Sequence, residues 1–436
     1  MSCSEWKETE VEKIPSHWEV ITIDEIADVK GGKRLPKGES LQENKTPYPY
    51  IRLVDILNNR VDKTNIMYLT KDVQSKISRY IVEKDDICLA IVGNTIGLVF
   101  YITENEDKFN LTENAARITN LDTSKINSKF LFYYLNSKSG QHKIKSSQVG
   151  SAQGKLPIKN IKSISIPLPP LNEQEKIADV LSSLDNKIEL NNEMNKTLEE
   201  MAKSIFKRWF VDFEFPNEDG QPYKSSGGEM VESELGIIPK WWEVKTIADI
   251  GEVISGGTPS TKNEDYYGGD ISWITPKDLS GYDRKFITKG ERSITELGLQ
   301  KSSAKLLPKG TVLFSSRAPI GYVAISDKEV CTNQGFKSIV CNTEIMNNNY
   351  VYYFLKFNKK NIENVSSGST FKEISGTHMK NFKIIVPNKD ILDNFNKIII
   401  SYDGVLSKNY EEIDNLTEIK DTLLTKLMNG EIILNN

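Results

Sequence analysis

Metal, nucleotide and nucleophile chemistry each leave a spacing signature, and this chain carries none in complete form. His17, His142 and His378 are scattered, and Cys3, Cys88, Cys331 and Cys341 show no paired or metal-ligand spacing. No GxGxxG follows a strand-like segment, and no GxxxxGK loop closes with Ser or Thr; Gly154-Lys155 is followed by Leu156. Leu168-Pro-Pro-Leu171 lacks the amide and the aromatic that flank the paired prolines of amino methyltransferases. Glu106-Asp-Lys108 mimics one piece of a nuclease site, but no Pro-Asp pair lies upstream. What the chain does offer is hydrogen-bonding side chains in glycine-flanked loops. These are Gly31-Gly-Lys-Arg34, Gly256-Gly-Thr-Pro259 and Ser315-Ser-Arg-Ala-Pro-Ile-Gly321. Glycines there let backbone approach a surface closely, although each pair could equally be an ordinary tight turn. Such groups suit recognition rather than turnover.

Those loops recur because the chain is duplicated. Ile14-Pro-Ser-His-Trp-Glu-Val20 returns as Ile238-Pro-Lys-Trp-Trp-Glu-Val244, and each is followed by a glycine pair. Tyr50-Ile-Arg-Leu-Val-Asp55 aligns with Trp273-Ile-Thr-Pro-Lys-Asp278, and Phe130-Leu-Phe-Tyr-Tyr-Leu135 with Tyr350-Val-Tyr-Tyr-Phe-Leu355. A repeat this long is a duplicated domain rather than a solenoid. Each copy reads as short strands with turn-rich loops, a helix near 127–137 or 347–357, more strands, then a long helix.

The first long helix is expected over Asn172–Asp212. It opens after the proline stop Pro167-Leu-Pro-Pro170, with Asn172 as N-cap and Glu175 completing a capping box. Ile177, Leu184, Asn191, Leu198 and Ile205 repeat every seventh position, with Met194 and Met201 on the same stripe. That pattern predicts a coiled-coil seam in which a lone buried Asn191 sets register. About 40 residues at ~1.5 Å rise make a rod roughly 60 Å long. A partner helix is expected over Asn394–Met428, with Ile399, Tyr402, Leu406, Ile413, Leu416, Leu423 and Leu427 on its stripe, Asn409 and Lys420 as exceptions, and Gly430 as C-cap. Either helix could pack only on its own half; matching lengths favour an antiparallel pair.

At 436 residues, with 38% hydrophobic and 27% charged residues, the chain should hold two or three domains with ordinary cores. No run reaches the ~18–20 apolar residues needed to span a bilayer, and the N-terminus does not resemble a signal peptide, so a reduced, cytoplasmic protein is expected. Net charge is −4, yet the distribution is uneven. Between Thr123 and Asn172 there is no Asp or Glu, while lysines stand at 125, 129, 138, 143, 145, 155, 159 and 162. That stretch suits a phosphate-facing surface. The acids gather in the long helices, as at Glu199-Glu200 and Glu411-Glu412, where they could face protein partners. Approximate two-fold symmetry within one polypeptide suits duplex DNA, and two diverged copies would read two different half-sites.

The order of these features resembles the specificity subunit of Type I restriction–modification systems over nearly the whole chain. The resemblance rests on Ile14-Pro-x-x-Trp18 and Ile238-Pro-x-x-Trp242, Gly256-Gly-Thr-Pro259, Ile166-Pro-Leu-Pro-Pro-Leu-x-Glu-Gln174, Phe206-x-x-Trp-Phe-Val-Asp-Phe213 and Leu423-Leu-x-Lys-Leu-x-x-Gly430. Two places depart from the pattern: Gly31-Gly-Lys-Arg34 replaces Gly-Thr-Pro, and the second long helix is entered through Val386-Pro-Asn-Lys-Asp390. The expected fold class is α+β, with two tandem target-recognition domains joined and separated by two long antiparallel coiled-coil helices. Its parts are a first recognition domain at 1–171, a long helix at 172–215, a linker at 216–236, a second recognition domain at 237–390 and a second long helix with the C-terminus at 391–436. The resemblance implies a non-catalytic reader of a bipartite, asymmetric duplex DNA target, with the long helices acting as a ruler for the spacer. It also implies docking of two methyltransferase subunits and of restriction/translocase subunits, with S-adenosylmethionine, ATP and Mg on those partners and no cofactor on this chain.

Base reading needs paired donors and acceptors, such as Arg on guanine and Asn or Gln on adenine. In the first domain the candidates are Lys33, Arg34, Arg52, Asn94, Gln148, Ser151, Gln153 and Lys155. In the second they are Thr258, Ser260, Lys277, Arg317, Gln334, Ser369, Thr370 and Lys372. Arg317 stands out, because its turn combines a polar donor with a rigid proline. Two other readings stay open: a specificity subunit serving a fused methyltransferase–nuclease of another restriction type, and a coiled-coil adaptor with no DNA role.

Overall fold

The computed structural model describes residues 6–9, 13–150, 154–317, 319–364, 366 and 373–434. They divide into two compact units, one formed by Met1–Asn191 with Glu412–Asn436 and the other by Asn192–Glu411. Each unit therefore contains one recognition domain and a segment of both long helices.

In the first unit, a four-stranded antiparallel sheet runs in the order Val99–Tyr101, Ile87–Ala90, Ala115–Thr119, Asp28–Gly31. A smaller sheet places Pro49–Ile51 between Asn110–Leu111 and Met67–Tyr68. The second unit repeats both. Gly251–Ser255, Lys337–Cys341, Val312–Phe314 and Val323–Ser326 make the larger sheet, extended by Phe286–Ile287, and Tyr267–Ile274 lies between Arg292–Ile294 and Cys331–Thr332. The helices Ser128–Asn136 and Asn348–Phe357 are capped by Asn127 and Asn347, whose side chains accept from Phe130 and Tyr350 amides. Both are apolar nearly all round, and both are buried nearly all round. The segment expected as a linker instead carries a hairpin, Met230–Ser233 against Gly236–Pro239.

The first long helix spans Leu171–Phe206 and widens into a π-turn at Lys207–Val211; the second spans Lys389–Met428, starting five residues before the expected Asn394. Asn172 is not the N-cap. The amides of Glu173 and Gln174 both reach the Pro170 carbonyl, so the helix begins at Leu171 and Asn172 lies inside its first turn. A proline carbonyl accepts as well as any other, and its missing N–H is needless at a helix start.

The Glu-Gln pair of that first turn serves a different purpose. Gln174 is fully buried, donates to the Lys125 and Pro169 carbonyls and accepts from the Asn127 amide. Glu173 accepts from the Trp18 indole at 3.0 Å and lies 3.0 Å from His17 Nε2. The Ile-Pro-x-x-Trp motif is thus a buried tryptophan clasping the helix start. In the second unit Trp242 donates to Asn388 Oδ1 at 3.1 Å, so Asn388 performs that task where the Glu-Gln run is missing. Gly430 ends the second helix at φ +75°, and a Cβ there would lie 2.4 Å from Pro15.

Within each unit the helices pair antiparallel. In the first, Lys420 meets Asp185 at 2.8 Å, and Asn191 donates to Glu412 at 2.8 Å. In the second, Asn409 donates to Asn195 at 2.8 Å. The seven-residue stripe holds only in part. Ile177 and Asn191 are buried, but Leu184, Leu198 and Ile205 are half-buried, and Met194 and Met201 are exposed at 41% and 45%. Asn195, Glu199, Ala202 and Phe206 take the inward positions instead. A straight α-helix drifts by about 20° per heptad, so an inward face follows the 3.6-residue period. Asn191 is not the lone buried asparagine of the long helices either, since Asn195 and Asn409 in the second unit are also buried. Glu199 and Glu412 do not face outward as free acids. Glu199 lies buried, 3.6 Å from the amines of Lys203 and Lys356, and Glu412 pairs with Asn191 and Lys187.

Candidate nucleic-acid interface

Strand Asp28–Gly31 runs directly into the first glycine pair. The Gly32 and Lys33 amides donate to the carbonyls of Ala115 and Leu111, both at 2.9 Å. A Cβ on Gly32 would sit 2.0 Å from the Thr112 carbonyl oxygen. In the second unit the Gly257 amide donates to Thr332, and a Cβ on Gly256 would sit 2.1 Å from the Asn333 carbonyl. Neither glycine has positive φ. The pair is there because the loop lies flat on the neighbouring chain, and approach to DNA is not what the missing side chains serve.

An aromatic residue of the smaller sheet holds each loop from beneath. Tyr50 Oη donates to the Lys33 carbonyl at 2.9 Å, and Trp273 Nε1 donates to the Gly257 carbonyl at 3.0 Å. Burial pushes the Tyr50 hydroxyl up to about 12, so it stays a donor. Each loop then reaches the segment opposite. Arg34 Nε donates to Glu113 Oε1 at 2.8 Å, and the Thr258 hydroxyl bonds Gln334 Oε1. Burial alone would raise the Glu113 carboxyl, but the Arg34 hydrogen bond and charge hold it below the usual range. Glu113 occupies the position of Gln334 across the repeat; carrying Gln334 back along the alignment would have found it. Tyr50 and Trp273 lie within aligned stretches, but nothing local marks them as supports.

The remaining candidates fall around these pairs. In the second unit the Ser316 amide donates to the Gly335 carbonyl at 2.7 Å, which sets Arg317 beside exposed Gln334. Arg317 is held by Glu373, with Nη1 3.6 Å from Oε2 and a backbone bridge between the two residues. Lys337, almost completely buried, approaches the other Glu373 oxygen at 3.6 Å. Lys277 is exposed and paired with Glu291 at 2.7 Å, next to Pro276, which touches Gly335; Ser260 is exposed further along the glycine loop. In the first unit exposed Asn94 sits on the turn Gly93–Thr95, whose Gly93 amide donates to Gly154. Lys155 and Val149 exchange backbone hydrogen bonds, bringing Gln148 and Lys155 to the same edge. Ser151, Gln153, Ser369, Thr370 and Lys372 lie outside the described residues. In the acid-free stretch, Lys125 and Lys162 pair with acids from beyond it, Asp122 and Asp24, while Lys145, Lys155 and Lys159 line its surface.

Arg52 is engaged within its own turn. Its guanidinium grips both oxygens of Asp55 at 3.0 and 2.6 Å and donates to the Asn65 carbonyl at 2.9 Å. Asp55 is only 4% exposed and also caps the Arg52 amide. In the second unit Thr275 takes the same place against Asp278. The Arg52 side chain holds a turn. Arg52→Ala is therefore expected to cost about 1–3 kcal/mol, because Asp55 loses its charged partner, while leaving base preference unchanged. Chemical denaturation checks the first half of that expectation, and binding to single-base variants of the target checks the second.

The sequence model of the family described as Type I restriction modification DNA specificity domain matches residues 15–200 and again 239–424. The chain belongs to this family. One match falls on each repeat, so the duplication is that of the specificity domain itself. Among relatives, the HindI specificity subunit of Haemophilus influenzae is 26% identical over 438 residues, covering 88% of this chain and 94% of the relative. The MjaIX specificity subunit of Methanocaldococcus jannaschii is 42% identical over 193 residues, 44% of each chain. The crystal structure of the S subunit of a Type I restriction–modification system from M. genitalium shares the fold, with TM-score 0.61 over 94% of this chain and 96% of that one at 20% identity. Among the described residues of this specificity-domain protein no His, Cys, Asp and Glu side chains gather as a metal group. No described helix is long and apolar enough to cross a membrane.

Proposed function

We propose that this chain is the DNA sequence-recognition subunit of a Type I restriction–modification complex, reading a bipartite, asymmetric target and catalysing nothing itself. One observation carries the reading. Two copies of the specificity domain present the same glycine loop on the same aromatic support, yet one loop offers Arg34 with Glu113 and the other Thr258 with Gln334. A shared support with exchanged polar groups is what two readers of different half-sites require, since Arg, Glu and Gln favour different base edges and Thr serves more than one. The lysine-lined stretch of the first domain supplies phosphate attraction that fixes position without reading sequence.

In this reading the partners are duplex DNA, two methyltransferase subunits and restriction/translocase subunits. S-adenosylmethionine, ATP and Mg belong to those partners, and the assembly works in the cytoplasm. Reconstitution tests it: the chain mixed with its neighbouring modification protein should form a complex with two modification subunits and methylate adenines at one bipartite sequence. A stable complex that methylates without sequence preference would refute the recognition role. A single partner carrying methyltransferase and nuclease together would replace the Type I assignment.

A further inference from the structure

The structure assigns a guanine-reading role in the second recognition domain to Arg292, a residue outside all the loops considered above; the inference rests on the DNA-reading function just proposed. Three arginines looked suited to base recognition, and all three are engaged by carboxylates: Arg34 by Glu113, Arg52 by Asp55 and Arg317 by Glu373. Arg292 forms no ion pair among the described residues. The adjacent acid, Glu291, is taken by Lys277 at 2.7 Å.

Arg292 is exposed, yet its guanidinium is not loose. It lies over the Tyr267 ring at 4.1 Å and over the Trp273 ring at 5.8 Å. Trp273 is its direct partner across the strand pair. Both rings are anchored to the glycine loop, Trp273 through the Gly257 carbonyl at 3.0 Å and Tyr267 through the Pro259 carbonyl at 2.7 Å. Arg292 is thus positioned by the same two side chains that set Thr258 against Gln334. A guanidinium held over aromatic rings loses little freedom when it binds, and its forked donors suit bidentate contact with guanine O6 and N7.

In the first domain Tyr50 supports the glycine loop just as Trp273 does, but the residue opposite Tyr50 in the strand pair is Met67. The support is kept while the residue paired opposite it changes from an apolar to a cationic one. Half-site specificity is expected to reside in such exchanged positions.

The test is sequence selection from random duplex DNA with the reconstituted methyltransferase complex, using wild type, Arg292→Ala and Arg292→Lys. Arg292→Ala should weaken the preference for guanine at one position of one half-site by about 5- to 150-fold, with the other half-site and the gap unchanged. Arg292→Lys keeps the charge and the strand pairing, so it tests the forked donor even if the alanine variant fails to fold; it should retain affinity for unrelated duplexes and lose part of the guanine preference. An unchanged motif in the variants overturns the inference. So does a weakening that is uniform across sequences with the salt slope reduced by about 1, which would make Arg292 a phosphate contact. If wild type itself yields no bipartite motif, the recognition function fails; if wild type yields one and both variants keep it, only the role of Arg292 fails.

Discussion

Phe206→Ala should remove about 3–5 kcal/mol from the stability of the second unit. Phe206 is 2% exposed at the end of the first long helix, where the π-turn begins. Its ring centroid lies 5.2 Å from those of Phe210 and Phe357, 5.3 Å from Tyr350, 5.9 Å from Tyr353 and 6.0 Å from Phe395. These neighbours come from the π-turn, the buried helix of the recognition domain and the second long helix, so truncation opens a cavity where three elements meet. Aromatic pairs at such separations add about 0.5–1.5 kcal/mol beyond burial, which places the loss toward the upper end. Urea unfolding followed by tryptophan fluorescence should show the second unit melting earlier and the first unit little changed. A loss below about 1 kcal/mol would mean that the cluster closes over the gap and that Phe206 is not its centre.

The second large effect concerns a buried charge. Lys285 is fully buried, its amine 2.6 Å from Asp403 Oδ1 and 5.1–5.4 Å from the rings of Tyr353, Tyr352 and Phe286. Burial pushes the Lys285 amine below its usual value, and the neighbouring Asp403 charge opposes that shift; burial likewise pushes the Asp403 carboxyl up. The Lys285 carbonyl accepts the Ile325 amide of the larger sheet, so the pair ties that sheet to the second long helix. Lys285→Met should cost about 3–5 kcal/mol, because the largely buried Asp403 loses its charged partner. Adding Asp403→Leu should restore much of it, since a well-packed apolar pair of similar volume is often neutral. A double-mutant cycle by chemical denaturation checks this, and additive losses would show that the two side chains do not depend on each other.

Much of this molecule was legible because its strongest signals are local. The proline stop before Leu171, the periodicity of the two long helices and Gly430 at the end each act within a few residues; the first helix starts one residue from its expected position and the second ends at Met428 as expected, although it begins at Lys389, five residues before Asn394. The repeat was legible because Trp18 and Trp242 must clasp a helix start in both units. What local signals do not disclose are partners distant in sequence. Gly32 and Gly256 suggested close approach to a ligand, but their neighbours are the carbonyls of Thr112 and Asn333. Arg34 is met by Glu113, 79 positions away, and Arg317 by Glu373. Even Arg52, held by a carboxylate three residues on, looked like a free donor, because residue type alone does not say which way a guanidinium turns. Met194 and Met201 fit the seven-residue stripe and yet face outward, because the inward face follows the true helical period past Asn191. Arg292 escaped notice for the complementary reason: its neighbours in sequence are ordinary, and its stacking partners lie on another strand.

In the proposed function, one chain carries two readers of different DNA half-sites. Selection from random duplex DNA, with the wild-type chain assembled with its methyltransferase partner, tests it most directly. Two unlike half-sites separated by a fixed gap are expected. Recovery of no shared sequence, with binding that vanishes uniformly as salt rises, would contradict it and leave only phosphate attraction.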